Sequence, residues 1–410
     1  MQTAERVATM SDAQKKVLVT AITAALCVFL AFCVYTFQNP GTLGRDHVKV
    51  GFILDGDEGA TYSHNFIRAM NALEAEYGDR VDLEVRYNVP SDKGREVTEE
   101  LVNSGCAILF LNSSDYAEDA KQVAAEHPDT QFCTATADNA NSTPIAPNYH
   151  TFMGEIYEGR YVTGKIAGMK LNEMIESGQI NADEAWVGFV GAYPVSQVIS
   201  GYTSFFLGVR SECPHARMRV KYTNTWNSYG LEMRAAKELI DKGCAIIAQH
   251  SDTIAPAIAC EEASVGHPVY HIGYNQDMVE IAPSVSIVGT RINWAPYCIG
   301  AVKAVLENRK IEETVKGNVH GNDMGAGFKE DWVTMLSLNA AIAPKGSESV
   351  IDTTVSSLSA GTCPVFVGDY IGIDPVDKSD VWDLHTEYHE NAQSSAPTFH
   401  YVLQDVIVVE

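Results

Sequence analysis

Val48-Lys49-Val50-Gly51-Phe52-Ile53-Leu54 is an apolar, β-branched run that breaks into Asp55-Gly56-Asp57-Glu58-Gly59-Ala60 and continues as Thr61-Tyr62-Ser63-His64-Asn65-Phe66. The run reads as a buried strand, and the glycines and acids after it read as a turn. An amphipathic helix is predicted from about Tyr62 to Glu76. Strand, polar loop and helix in that order open a βαβ unit, and ligands of open α/β sheets collect at the carboxyl ends of the strands. The loop carries no G-x-G-x-x-G, and no Lys follows Gly59, so it is not a phosphate cradle. A calcium loop is also excluded, because the Gly comes one place early and the twelfth position is Phe66.

The pattern continues outward from this loop. Further strands are predicted at Val81–Tyr87, Ala107–Leu111 and Gln131–Thr134, alternating with helices at Tyr62–Glu76, Asp92–Asn103 and Tyr116–Glu126. Asp138 to Asn148 reads as a loop, and a long helix from about Ile156 to Ile175 follows, with Gly164, Ala167 and Gly168 as points of close approach. The alternation then restarts with strands at Trp186–Val190, Met218–Tyr222, Ala245–Ala248, Val269–Ile272 and Val285–Val288. Helices fall near Val195–Arg210, Leu231–Asp241, Ile254–Ser264 and Pro296–Asn308. The last stretch holds a helix at Ser349–Leu358, a short strand at Pro364–Gly368 and a final strand at Val406–Val409.

An internal echo ties the two series together. Glu100-Leu101-Val102-Asn103-Ser104-Gly105-Cys106-Ala107-Ile108-Leu109 recurs as Glu238-Leu239-Ile240-Asp241-Lys242-Gly243-Cys244-Ala245-Ile246-Ile247. Each copy ends a helix at a Gly, which supplies a left-handed cap, and enters a buried strand. The reading is two doubly wound, Rossmann-like α/β lobes joined by a hinge. Residues 47–155 and about 295–345 make lobe 1, residues 156–294 make lobe 2, and 346–410 pack across both.

At 410 residues the chain is long enough for two such lobes, and its formal charge of −24 argues against nucleic-acid binding, which needs clustered Lys and Arg. Residues 17–37 carry no charge and match the roughly 20 residues of a membrane-spanning helix. Lys15 and Lys16 place residues 1–16 in the cytoplasm, with 38–46 as an external linker. A cleaved signal peptide and a lipoprotein signal around Leu30-Ala31-Phe32-Cys33 are the competing readings of this segment. The nine cysteines show no C-x-x-C pair and no metal-like grouping with His. Cys106 and Cys244 read as small hydrophobes.

No G-x-S-x-G elbow occurs, and His385 with His389 does not make H-E-x-x-H, so neither an enzyme nor a metal or other cofactor is expected. His267 and His271 bracket a strand start and read as structural. Instead, the strand ends carry polar and aromatic sets: Asp55 with Tyr62 to Asn65, Asn112 to Tyr116, Tyr193 to Gln197, Asn224 to Trp226, Gln249 to Asp252, Gly273 to Asp277, and Asn293 with Trp294. Ser63, Ser114 and Asp252 read by default as helix caps. Brought together in one cleft, these sets suit a flat small molecule with polar edges.

At these positions the chain resembles the basic membrane protein family of ABC-transporter substrate-binding proteins. The residues that carry the likeness are Thr61-Tyr62-Ser63-His64-Asn65, Pro147-Asn148-Tyr149, Tyr157-Glu158-Gly159-Arg160-Tyr161-Val162-Thr163-Gly164 and Phe205-Phe206-Leu207-Gly208-Val209-Arg210. Asn224-Thr225-Trp226, Gln249-His250-Ser251-Asp252 and Ile272-Gly273-Tyr274-Asn275-Gln276-Asp277 complete the set. The resemblance implies the type I periplasmic-binding-protein fold and an extracytoplasmic protein, anchored in the cell membrane by its N-terminal segment. It would capture a small molecule, such as a purine base or nucleoside, for an ABC permease. A ligand sensor coupled to a membrane receptor, or a binder of a non-purine metabolite, is the alternative. Closure on a ligand requires contacts from both lobes, and those expected from the strand-end sets are Tyr62, His64, Asn65, Ser114 and Tyr116 from lobe 1, with Tyr193, Trp226, Asp252, Asn275 and Asp277 from lobe 2. The chain departs from the family at Ala60 and Ser114, where Trp and Phe are expected, and at Asn65 and Asn275, where acids are common. Tyr62, Tyr116 or Trp226 would then supply the stacking ring.

Overall fold

The computed structural model describes residues 11–38, 44–266, 268–390 and 393–410, with side chains of 32–38 left aside. Residues 1–10, most of the predicted linker and His267 therefore lie outside the described residues. Helix Asp12–Gln38 contains a stretch, Asp12–Ala31, long and apolar enough to cross a membrane, and none of it is buried against the rest of the protein.

The strands run in chain order as β1 (Val48–Ile53), β2 (Val81–Arg86), β3 (Ile108–Leu111), β4 (Gln131–Ala135) and β5 (Tyr149–Gly154). They continue as β6 (Trp186–Gly191), β7 (Arg217–Tyr222), β8 (Ile246–His250), β9 (Tyr270–Tyr274) and β10 (Ser286–Ile292). Short strands follow: β11 (Asn318–His320), β12 (Asp323–Ala326), β13 (Val333–Met335), β14 (Ile371–Ile373), β15 (Val381–Asp383), β16 (Val402–Leu403) and β17 (Ile407–Val409). One sheet is ordered β11-β12-β5-β4-β3-β1-β2 and the other β13-β10-β9-β8-β6-β7-β17. Their parallel centres, β2-β1-β3-β4-β5 and β7-β6-β8-β9-β10, have the same doubly wound order, and each reverses direction of winding at its first strand. Both faces of these sheets are covered, which is why β3 is apolar at every position and buried throughout.

The echoed segments occupy equivalent places. Gly105 has φ +93° and Gly243 φ +83°. Cys106 and Cys244 donate their N–H groups to Leu101 and Leu239, and Ala107 and Ala245 donate theirs to Lys49 and Trp186 at the starts of the neighbouring strands. Both cysteines are buried, and the eight described cysteines are all free thiols.

The chain passes between the sheets after β5, after β10 and between β12 and β13, and these crossings are bonded to one another. Glu155 N–H donates to Ala326 (2.8 Å), Phe328 N–H to the Glu158 carboxylate (2.7 Å) and Asn293 N–H to Trp332 (2.7 Å). The helix Ile156–Glu176 leaves this hinge and packs on Ser196–Glu212 at backbone distance. A Cβ on Gly164 would lie 2.0 Å from the Phe205 carbonyl oxygen, which explains the small residues the sequence places there. Phe205, Phe206 and Leu207 are core. The C-terminal stretch touches both sheets. Ser395 donates to Asp323 of β12, whereas β17 pairs with β7.

Three features depart from the sequence pattern. β5, with β11 to β13 beyond it, has no periodic signal, because its polar residues are buried against dedicated partners: His150 pairs with Glu312 (2.5 Å), and Thr151 donates to Asp323 (2.8 Å). The strand expected at Pro364–Gly368 is reduced to a single bridge from Phe366 to Tyr388, since Phe366 stacks on Phe399 (4.4 Å) and strand pairing starts at Ile371. The first long helix of lobe 1 is capped by Ala60 without a side-chain bond, and Ser113, not Ser114, caps the short turn after β3.

Candidate functional site

The carboxyl ends of β1, β3, β6 and β8, where each sheet reverses its winding, face one another. A cavity with about 400 Å³ of empty space, mouth included, lies between them. Its lobe 1 wall is Asp55, Tyr62, Asn112, Ser113, Ser114 and Thr136; its lobe 2 wall is Gln197, Trp226, His250, Asp252 and Tyr274.

The lobe 1 wall is held by its own hydrogen bonds. Asn112, fully buried, donates to Asp55 Oδ1 (2.7 Å) and accepts the Asp55 N–H (3.0 Å), while Ser63 Oγ donates to the same carboxylate oxygen (2.9 Å). The Tyr62 hydroxyl donates to the Asn112 carbonyl (2.6 Å), and its ring makes T-shaped contacts with Phe66 and Trp294. Thr136 sits at φ +61°, a conformation that costs a β-branched residue about 1–3 kcal/mol and that clusters at ligand clamps. Its Oγ1 accepts the Ser114 N–H (3.2 Å) and fixes the serine loop.

The lobe 2 wall is less satisfied. The Trp226 ring packs against Tyr193 (5.5 Å between centroids) and His250 (6.4 Å), and His250 against Tyr274 (4.7 Å). Tyr274 Oη and His250 Nε2 are 3.2 Å apart, and His250 Nδ1 has no hydrogen-bond partner among the described residues. Burial, reinforced by the nearby Arg160 cation, holds the His250 imidazole well below its ordinary value, so it is neutral. Burial pushes the Tyr274 phenol up to about 12. The Asp252 carboxyl is pushed well above the usual range, first by burial and then by the carboxylates of Asp55 and Glu232. Glu232 is itself fully buried and accepts from Ser251 and Thr253.

The lobes are closed on each other. Thr61 N–H donates to the Asp252 carbonyl (3.1 Å), and Asn65 Nδ2 donates to Asn275 Oδ1 (3.0 Å) across the cleft. Two carboxylates at those positions would repel, whereas two amides bond. Asn275 holds φ +62°, which Asn tolerates better than most residues.

Residues 48–351 match the family described as ABC transporter substrate-binding protein PnrA-like. The chain belongs to that family. Among its relatives, a purine-binding protein of Brucella abortus is 29% identical over 341 residues, which is 82% of this chain and 86% of that protein. Among solved structures, an ABC transporter solute-binding protein of Aeropyrum pernix superposes with a TM-score of 0.61 at 14% identity, over 77% of this chain and 92% of that one. Another, from Conexibacter woesei, gives 0.58 at 19% identity, over 77% and 97%. These likenesses establish the periplasmic-binding-protein fold. As a PnrA-like protein, the chain is an ABC-transporter solute-binding protein, and the family is extracytoplasmic.

Within this PnrA-like cleft, the structure places Tyr62, Ser114, Trp226 and Asp252 on the cavity wall. Asn65 and Asn275 form the cross-lobe bond, and Tyr193 backs Trp226 without lining the cavity. The remaining three lie away from it. Tyr116 is buried in lobe 1, donates to Val89 (2.6 Å) and packs on Gly94; Asp277 Oδ1 accepts the Val279 N–H (3.0 Å); His64 Nδ1 lies 3.4 Å from the Glu58 carbonyl. Asp55, Asn112, Ser113, Gln197, His250 and Tyr274 are wall residues that the strand-end sets contain without singling out. Thr136 has no sequence signal, because its role rests on a left-handed backbone.

Proposed function

We propose that the cavity captures a purine nucleobase or nucleoside, that helix Asp12–Gln38 anchors the lobes at the outer membrane surface, and that an ABC permease receives the solute. The observation that carries the ligand class is the pairing in one cavity of an indole ring, Trp226, with hydrogen-bonding groups from both lobes. Aromatic faces with a few fixed polar groups fit a heterocycle whose edge carries N–H and lone-pair sites. Ala60 and Ser114 supply no ring, but Trp226 and Tyr274 do. The Brucella relative, described as purine-binding, supports the same class. The site holds the solute without chemistry, so incubated nucleosides should be recovered intact.

The test is a thermal-shift screen of the detergent-solubilised full chain against nucleobases, nucleosides, sugars and amino acids. Purines should raise the midpoint. A rise with sugars or amino acids and none with purines would overturn the ligand class.

A further inference from the structure

Arg160 stands on the Ile156–Glu176 helix, just past the hinge, and is 0% exposed. None of its three guanidinium nitrogens has a hydrogen-bond partner among the described residues. Its guanidinium carbon lies 3.8 Å from the Tyr274 ring centroid and 5.6 Å from that of Phe189. An interior cation without an acceptor is costly, and stacking on rings recovers only part of that cost. The titratable groups that face it are Tyr274 from β9 with His250 and Asp252 from the end of β8. All three line the cavity, while Arg160 does not. Arg160, Tyr274, His250 and Trp226 thus form a continuous run of ring contacts from the hinge helix to the lobe 2 wall.

We propose that Arg160 is a positioning residue for solute capture, acting through Tyr274 and His250 to keep the lobe 2 wall an uncharged donor–acceptor pair against which a neutral heterocycle closes. The proposal rests on reading the cavity as the solute site. A cation behind the Tyr274 face makes the phenol a better donor and opposes a second positive charge on His250. Tyr274 and His250 then keep the same hydrogen-bonding pattern as the pH falls, whatever the state of Asp252.

The experiment follows the His250 imidazole by NMR in full-length protein labelled at histidine, assigned with His250→Gln, for wild type, Arg160→Met and Arg160→Lys. Adenine and adenosine affinities are measured alongside at about pH 5.5 and about pH 7.5. In Arg160→Met, His250 should take its proton at a higher pH than in wild type, because a neighbouring charge has been removed while its burial remains. Purine affinity should fall, and by more at the lower pH than at the higher. Arg160→Lys, which keeps the charge, should hold His250 neutral and retain affinity within about threefold at both. An unchanged His250 titration in Arg160→Met, or a loss equal at both pH values and not repaired by Lys, would reduce Arg160 to a packing strut. If Arg160→Met does not fold, Tyr274→Phe keeps cation and ring but removes the hydroxyl. It should leave the melting midpoint in place and weaken purine binding about fivefold, and unchanged affinity would overturn the proposal. The imidazole readout needs no solute, so wild-type protein that binds no purine would sink the ligand class while the titration still decides the role of Arg160.

Discussion

The two walls of the cleft are built on sheets of the same order but are finished differently. In lobe 1, Asp55, Ser63 and Asn112 bond one another, and the Tyr62 hydroxyl is tied to a backbone carbonyl. In lobe 2, the Arg160 guanidinium and His250 Nδ1 lack hydrogen-bond partners among the described residues, against Thr61 Oγ1 in lobe 1, the Asn65–Asn275 amide pair leaves one open atom on each side, and the Asp252 carboxyl is crowded by two other acids. Buried polar groups are normally satisfied, and those that are not mark stored strain or a role in binding. Lobe 1 is thus the more tightly tied wall, and lobe 2 is the wall with more left for a ligand to complete. The contrast predicts that breaking the lobe 1 network costs stability, whereas removing the lobe 2 ring or a bond across the cleft costs affinity.

The largest effect should come from Asn112→Ala, which orphans groups in a buried network and should lower stability by about 2–3 kcal/mol, read by denaturant unfolding. A variant as stable as wild type would show that the lobe 1 network is not what holds its wall. Next, Trp226→Ala should weaken purine binding by about 1–3 kcal/mol in calorimetric titration, with little change in melting midpoint because the ring is only partly buried. A large loss of stability with intact affinity would reverse the assignment of roles to the two walls.

A smaller, pH-dependent effect belongs to Asp252. An unfolded aspartate ionises near pH 3.9, and the folded one only at higher pH. Between those values the unfolded chain holds fewer protons, so ligand-free stability falls as pH rises from about 4 and levels off once the folded carboxyl has ionised. Asp252→Asn should make that decline shallower in melting curves taken from pH 4 to 8, leaving the part due to Glu158, Glu232 and Glu390; parallel curves would refute it. The smallest effect is expected from Asn65→Ala, which deletes one cross-lobe bond and should reduce affinity by about 0.5–1.5 kcal/mol without altering the fold of either lobe.

How much of this was legible in the sequence follows from where each signal is stored. The echo around Gly105 and Gly243 lies in local backbone chemistry, and both glycines are in the left-handed region the repeat demands. The buried β-branched runs mark nine strands of the two parallel centres for the same reason. β5 is not marked in this way, since His150 and Thr151 are buried only because Glu312 and Asp323, more than 150 residues away, receive them. The site divides along similar lines. Strand-end loops point to the cleft, but whether a side chain faces it depends on packing. Tyr116 turns inward because Gly94 leaves room for its ring, where a Cβ would lie 2.8 Å from Tyr116 Cδ1. Arg160 reads as one polar residue of a helix, and only the fold shows that it stacks behind the cavity.

The most direct test of the two-wall account is hydrogen exchange of the full chain with and without the purine that raises its melting midpoint. Protection should appear together in the loops after β1 and β3, at residues 55–65 and 112–116, and after β8 and β9, at residues 250–254 and 274–276. The gain should be greater on the lobe 2 side, where more of the unpartnered groups lie. Protection confined to one lobe, or centred away from these strand ends, would contradict capture between the walls.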